Sequence, residues 1–104
     1  MRRRIAWGAR AAADYHAQLG YIAEQHPANA DVVDRRIMAA IEKLAARPIG
    51  RPGRVAGTYE KTIVNTGLIV AYVLGEGTIT VIRIIHARRN WPTGEWPADD
   101  DASP

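Results

Sequence analysis

Cysteine and phenylalanine are both missing from this 104-residue chain, and aromatic residues make up only 7% of it. Without cysteine there is no disulfide staple and no thiolate metal site, which fits a reducing, cytoplasmic setting. His16, His26 and His86 have no metal-ligand spacing, so neither a metal nor any other cofactor is expected. Long hydrophobic runs are absent too. The longest strongly apolar stretch, Leu68 to Leu74, is far too short to cross a bilayer, and no membrane role is expected. No apolar run of signal-peptide length follows the basic start Arg2-Arg3-Arg4, so an unexported protein is expected. With so few aromatics, the core has to be built from Ile, Val, Leu and Ala. That suits a compact fold better than a large ligand cavity.

What is present is positive charge. The formal net charge is +3, but the last ten residues carry Glu95, Asp99, Asp100 and Asp101 and no base, so the first 94 carry about +7. A basic body of this size suits an acidic partner, such as nucleic acid or an acidic protein segment. One domain is expected over residues 1–92. Residues 93–104, dominated by Pro, Gly, Glu and Asp, are expected to be an acidic, disordered tail.

Arg2 to Trp7 alternates like a short strand ending at Gly8. From Ala9 the apolar residues Ala12, Tyr15, Leu19, Ile22 and Ala23 recur at helical spacing, until His26-Pro27 interrupts them. Asn29 or Asp31 is the expected cap of a second helix, whose stripe is Val33, Ile37, Ala40, Ile41 and Leu44 and which stops near Arg47-Pro48. The Gly/Pro-rich stretch from Ile49 to Gly57 reads as irregular. Three apolar runs follow, Thr58 to Val64, Leu68 to Leu74 and Thr78 to His86, separated by glycine-bearing hairpin connections. The last two runs are apolar on both faces, as central strands are. The expected fold is α+β in the order β-α-α-β-β-β, with an N-terminal helical hairpin packed on a mainly antiparallel sheet.

Several side chains stand out against this frame. Simple alternation puts Arg83 on one face with Ile79, Val81 and Ile85, where a guanidinium needs a carboxylate, carbonyls or a route to the surface. It puts His86 on the other face with Ile82 and Ile84, as either a backbone-bonded strand end or a base. Arg88 and Arg89 beside Trp91 have the composition of a recognition surface for an acidic partner, with Trp91 also suited to folding back as a core plug. Arg51 and Arg54 flank a Gly/Pro loop that lacks the Gly-Lys-Ser/Thr ending of a nucleotide-binding loop. Lys61 stands alone between Glu60 and Thr62.

The joint order of these elements resembles the RelE/ParE toxin superfamily. Residues 4 to 92 carry the likeness, in Trp7, Ala13-Asp14, Tyr21-Ile22-Ala23-Glu24, Pro27-Ala28-Asn29-Ala30, the Gly50-Arg51-Pro52-Gly53-Arg54 loop, Gly57-Thr58-Tyr59-Glu60, Leu68-Ile69-Val70-Ala71-Tyr72 and the closing stretch from Ile82 to Pro92. The resemblance implies the toxin of a type II toxin–antitoxin pair, held in a hetero-oligomer by a ParD-like or RelB-like antitoxin. RelE-like members cut messenger RNA on the ribosome, whereas ParE-like members poison DNA gyrase. Ribonuclease members often carry an arginine where this chain has Ile69, so the likeness leans to the ParE branch. Under the RelE alternative, Lys61, Arg83, His86 and Arg88 are the candidate catalytic set. Under either, Arg51, Arg54, Lys61, Arg83, His86, Arg88, Arg89 and Trp91 are the candidates for contact with target or antitoxin. A third alternative is a non-toxic remnant that binds an antitoxin and acts as co-repressor.

Overall fold

A first strand, β1 (Arg4–Trp7), leads into two helices, α1 (Ala9–Gln25) and α2 (Pro27–Ala46), and then four strands. These are β2 (Arg51–Pro52), β3 (Tyr59–Ile63), β4 (Leu68–Gly75) and β5 (Thr78–His86). The computed structural model describes residues 2–88 and 94–96. Arg89, Trp91 and the Asp99–Asp101 run lie outside the described residues. Among the described residues, no helix is long and apolar enough to cross a membrane.

The two helices meet abruptly. His26 is both the C-cap of α1 and the N-cap of α2, and Pro27 occupies the first helical position. Proline suits that position because its missing N–H would have no partner in a first turn. Asn29 and Asp31, the expected caps, therefore lie inside α2. The Tyr15 hydroxyl donates to Asp34 and ties the hairpin together.

The five strands form one sheet in the order β1-β5-β4-β3-β2. The β1–β5 pair is parallel and the other pairs are antiparallel. The stretch from Ile49 to Gly57 is not wholly irregular, because Arg51 and Pro52 pair with Glu60 and Tyr59 as a two-residue edge strand. An edge is where a sheet tolerates proline, since the missing N–H faces away from the ladder.

The helices cover one face of the sheet. Val33, Ile37, Ile41 and Leu44 of α2 meet Leu68, Val70, Tyr72, Ile79, Val81 and Ile84, all at most 4% exposed. Burying each large aliphatic side chain is worth roughly 1.5–3 kcal/mol, so this layer carries the fold. By contrast, α1 buries fully only Ala11, while Tyr15, Leu19 and Ile22 are partly covered.

One irregularity decides which residues reach the other face. Ala71 pairs with Arg83 but Tyr72 pairs with Val81, so Ile82 has no opposite number and forms a bulge. A bulge inserts one residue and shifts the alternation beyond it. Ile79 and Val81 therefore face the helices, and after the bulge so does Ile84. Arg83 and Ile85 turn to the open face, where Ile85 joins Ile69. This corrects the expectation that Arg83 shares a face with Ile79 and Val81.

Candidate functional site

Two surfaces carry chemistry, one on the open face of the sheet and one between α2 and β3. On the open face, strand register lines up Arg51, Glu60, Ala71 and Arg83 in one row across four strands. Both ends of this row are ionic. Glu60 is only 2% exposed, with its Oε2 accepting from the Arg54 backbone N–H at 2.8 Å and its Oε1 lying 3.6 Å from Arg51. At the other end, Asp14 reaches from α1 to the edge of β5 beyond the end of β1. One carboxylate oxygen accepts from Arg83 Nε at 2.8 Å and from the Ile84 backbone N–H at 2.9 Å. Asp14 thus stands in for the strand that β1 no longer supplies, and it also neutralises a nearly buried guanidinium.

Below that row, Ile69 and Ile85 form a small apolar cluster, each 3% exposed, with Trp96 packed against them. The Trp96 ring also faces the Arg83 guanidinium at 5.8 Å, within range of a cation–π contact. Gly94, two residues before it, donates its N–H to the Arg54 carbonyl at 2.8 Å. Part of the stretch expected to be a disordered tail is therefore laid on the sheet.

The Gly/Pro loop is shaped by close packing and not by a phosphate. A Cβ at Gly50 would sit 2.3 Å from the Tyr72 hydroxyl and 2.7 Å from the Glu60 carbonyl oxygen, and one at Gly53 would sit 2.3 Å from Thr58 Oγ1. The Gly50 N–H donates to Tyr72 Oη at 2.8 Å. Burial pushes the pKa of the Tyr72 phenol up, and this hydrogen bond pulls it part of the way back.

The second surface is a groove of about 300 Å³ between α2 and β3. Its lining is mainly apolar, with Ala40, Leu44, Ile49, Ile63 and Val64 among its residues. Ile49 and Val64 are 63% and 71% exposed, high for aliphatic side chains. Four cations, Arg36, Lys43, Arg47 and Lys61, stand around it.

The residues singled out in the sequence are thus divided among different places. Arg51, Arg54 and Arg83 belong to the open face, and Lys61 belongs to the groove. His86 pairs with Leu68, a residue of the helix-facing core, and its ring lies by Gly67 with Nδ1 buried and unpartnered. Arg88 is exposed in the turn after β5. Three side chains at these surfaces were not among the candidates drawn from the sequence, namely Asp14, Glu60 and Trp96. Asp14 and Glu60 look like ordinary solvated carboxylates until the register places each against an arginine. Among the described residues, no group of three His, Asp or Glu side chains could hold a metal ion.

The family model of the ParE toxin of the type II toxin–antitoxin system parDE matches residues 5–91. The chain is 33% identical over 92 residues to the candidate toxin Y4kP of Sinorhizobium fredii, covering 88% of this chain and 95% of that one. It is 31% identical over 86 residues to the toxin RelE2 of Caulobacter vibrioides, covering 82% and 96%. In fold it is similar to a chain of the chromosomal ParDE toxin–antitoxin system from P. aeruginosa. That similarity has a TM-score of 0.75 at 21% identity, over 82% of this chain and 96% of that one.

Proposed function

The chain belongs to the ParE toxin family of type II toxin–antitoxin systems, and on that premise we propose that it arrests growth by binding DNA gyrase and not by cutting RNA. The observation that carries this reading is the dispersal of the would-be ribonuclease set. Attack by a 2′-hydroxyl needs a base, phosphate-binding cations and an acid gathered around one phosphate. Here Lys61 lies in the α2–β3 groove, Arg83 is on the opposite face and locked to Asp14, and His86 sits at a strand end. Where a ribonuclease of this superfamily would present a cation, Ile69 presents an aliphatic side chain under an indole.

The α2–β3 groove supports neutralisation by an antitoxin. A mainly apolar lining with four cations around it suits an amphipathic, acidic segment, which would gain both burial and electrostatic steering. Such an encounter slows as salt rises.

Purified protein added to gyrase and relaxed plasmid should block supercoiling or trap cleaved complexes. The antitoxin encoded beside it should reverse the effect. Lys61→Ala and His86→Ala should keep the inhibition. Translation arrest with cleavage of messenger inside reading frames, abolished by those two variants, would instead establish the RelE-like activity.

A further inference from the structure

The sheet face opposite the helices would, if bare, expose Ile69 and Ile85 from its two central strands beside the Arg83 guanidinium. Central strands are rarely left with such a patch unless something binds there. Trp96 covers it, holding both isoleucines to 3% exposure and stacking over Arg83. Among the described residues, Gly94 donates one backbone hydrogen bond to the Arg54 carbonyl, and residues 94–96 add no strand to the sheet. Trp96 itself remains partly exposed, and its 5.8 Å approach to Arg83 is near the outer limit of a cation–π contact.

The platform beneath is firmly built. Arg83 is held by Asp14, which is anchored in turn on the Ile84 N–H, so the guanidinium keeps its place whether or not the indole is on it. Ile69 and Ile85 face each other across β4 and β5 in strict register. A rigid cationic plane beside two aliphatic side chains accepts a planar aromatic group.

We propose that Trp96 is an intramolecular latch, occupying a recognition site on the open face that accepts an aromatic side chain of the protein target. The latch keeps the free toxin partly closed, and target engagement exchanges one aromatic group for another. The functional half of the proposal rests on the reading of this chain as a target-binding toxin. The structural half does not.

Two measurements separate the halves. Indole is titrated into wild type, Trp96→Ala and the double variant Trp96→Ala/Ile69→Lys, followed by the NMR signals of Arg83 Nε–Hε and of the Ile69 and Ile85 methyl groups. Trp96→Ala should bind indole at least tenfold more tightly than wild type, and Ile69→Lys should remove that binding. Equal affinity of wild type and Trp96→Ala for indole would overturn the latch. In supercoiling inhibition, Trp96→Ala should act at roughly tenfold lower concentration, as expected when the competent state rises from about a tenth of the molecules to nearly all. Unchanged or weaker inhibition by a variant that binds indole and keeps the wild-type circular dichroism would overturn the target-site assignment. If neither protein touches gyrase, the proposed target fails while the indole titration still decides the latch.

Discussion

Replacing Asp14 with alanine tests the link between the helical hairpin and the open face of the sheet. The Asp14 and Arg83 side chains are 11% and 6% exposed, so this ion pair is nearly buried, and one carboxylate oxygen serves both the guanidinium and the Ile84 N–H. Removing it leaves a positive charge beneath Trp96 and a backbone donor at a strand edge with no partner. An orphaned buried charge costs about 3–5 kcal/mol, against a total stability of about 5–15 kcal/mol for a domain of this size. At about 4–8 °C per kcal/mol, the melting temperature should fall by roughly 12 °C or more. The natural control is the exposed pair Arg2–Glu42, whose partners are 53% and 58% exposed. Its loss should cost no more than about 1 kcal/mol. Urea and thermal unfolding followed by circular dichroism would measure both. Asp14→Ala and Glu42→Ala with equal effects would refute the reasoning. A second check is Asp14→Ala/Arg83→Met, which removes the orphaned charge and should regain most of the loss; a double variant no better than Asp14→Ala would show that the charge is not the cause.

Other perturbations address the remaining elements of the site. Glu60→Ala should cost about 1–3 kcal/mol in urea unfolding, because the Arg54 N–H and the Arg51 guanidinium both lose their carboxylate; a neutral effect would show that the loop is held without it. Gly50→Ala should cost about 1–3 kcal/mol by overpacking against the Tyr72 hydroxyl and the Glu60 carbonyl, a prediction defeated by a wild-type melting curve. The hydrogen bond to Asp34, then burial, pushes the Tyr15 phenol from 10.0 up to about 12. The unfolded chain then gives up this proton first, so the contribution of Tyr15 to stability is complete below pH 10 and lost as pH rises toward 12. An ultraviolet absorbance titration showing all four tyrosines ionising together near 10 would contradict it. Charge reversal at Lys43 and Lys61 should slow antitoxin association and flatten its salt dependence, with little change in melting temperature; unchanged on-rates would exclude the groove.

Much of the fold was legible because hydrophobic periodicity and turn chemistry are local. The α2 stripe, the strand bounds from Leu68 and from Thr78, and the hairpin connections could all be read from neighbouring residues. The site was less so. Arg83 was recognisable as a cation in need of a carboxylate, but its partner lies 69 residues away in sequence, on a different element. Asp14 itself has the look of any solvated helix residue. Simple alternation also misplaced Arg83, because a bulge is a property of strand pairing and leaves no mark on the bulged strand's own pattern. Trp96 was hidden by its company of Pro, Gly and acidic residues, which reads as a tail.

Sequence alone determined the class of the molecule: a cysteine-free, basic α+β domain with a helical hairpin, a meander and the order of motifs shared with a toxin superfamily. These follow from composition, period and spacing, all of which are carried along the chain. Only the tertiary structure decided which side chains share a face. Ile82 bulging opposite β4 sends Arg83 and Ile85 away from the helices, Asp14 becomes the carboxylate of a nearly buried ion pair, Glu60 is buried against the Arg54 N–H with an exposed Arg51 beside it, and Trp96 closes over Ile69. Each of these depends on register between elements distant in sequence, and a shift of one residue moves a side chain from the core to the open face.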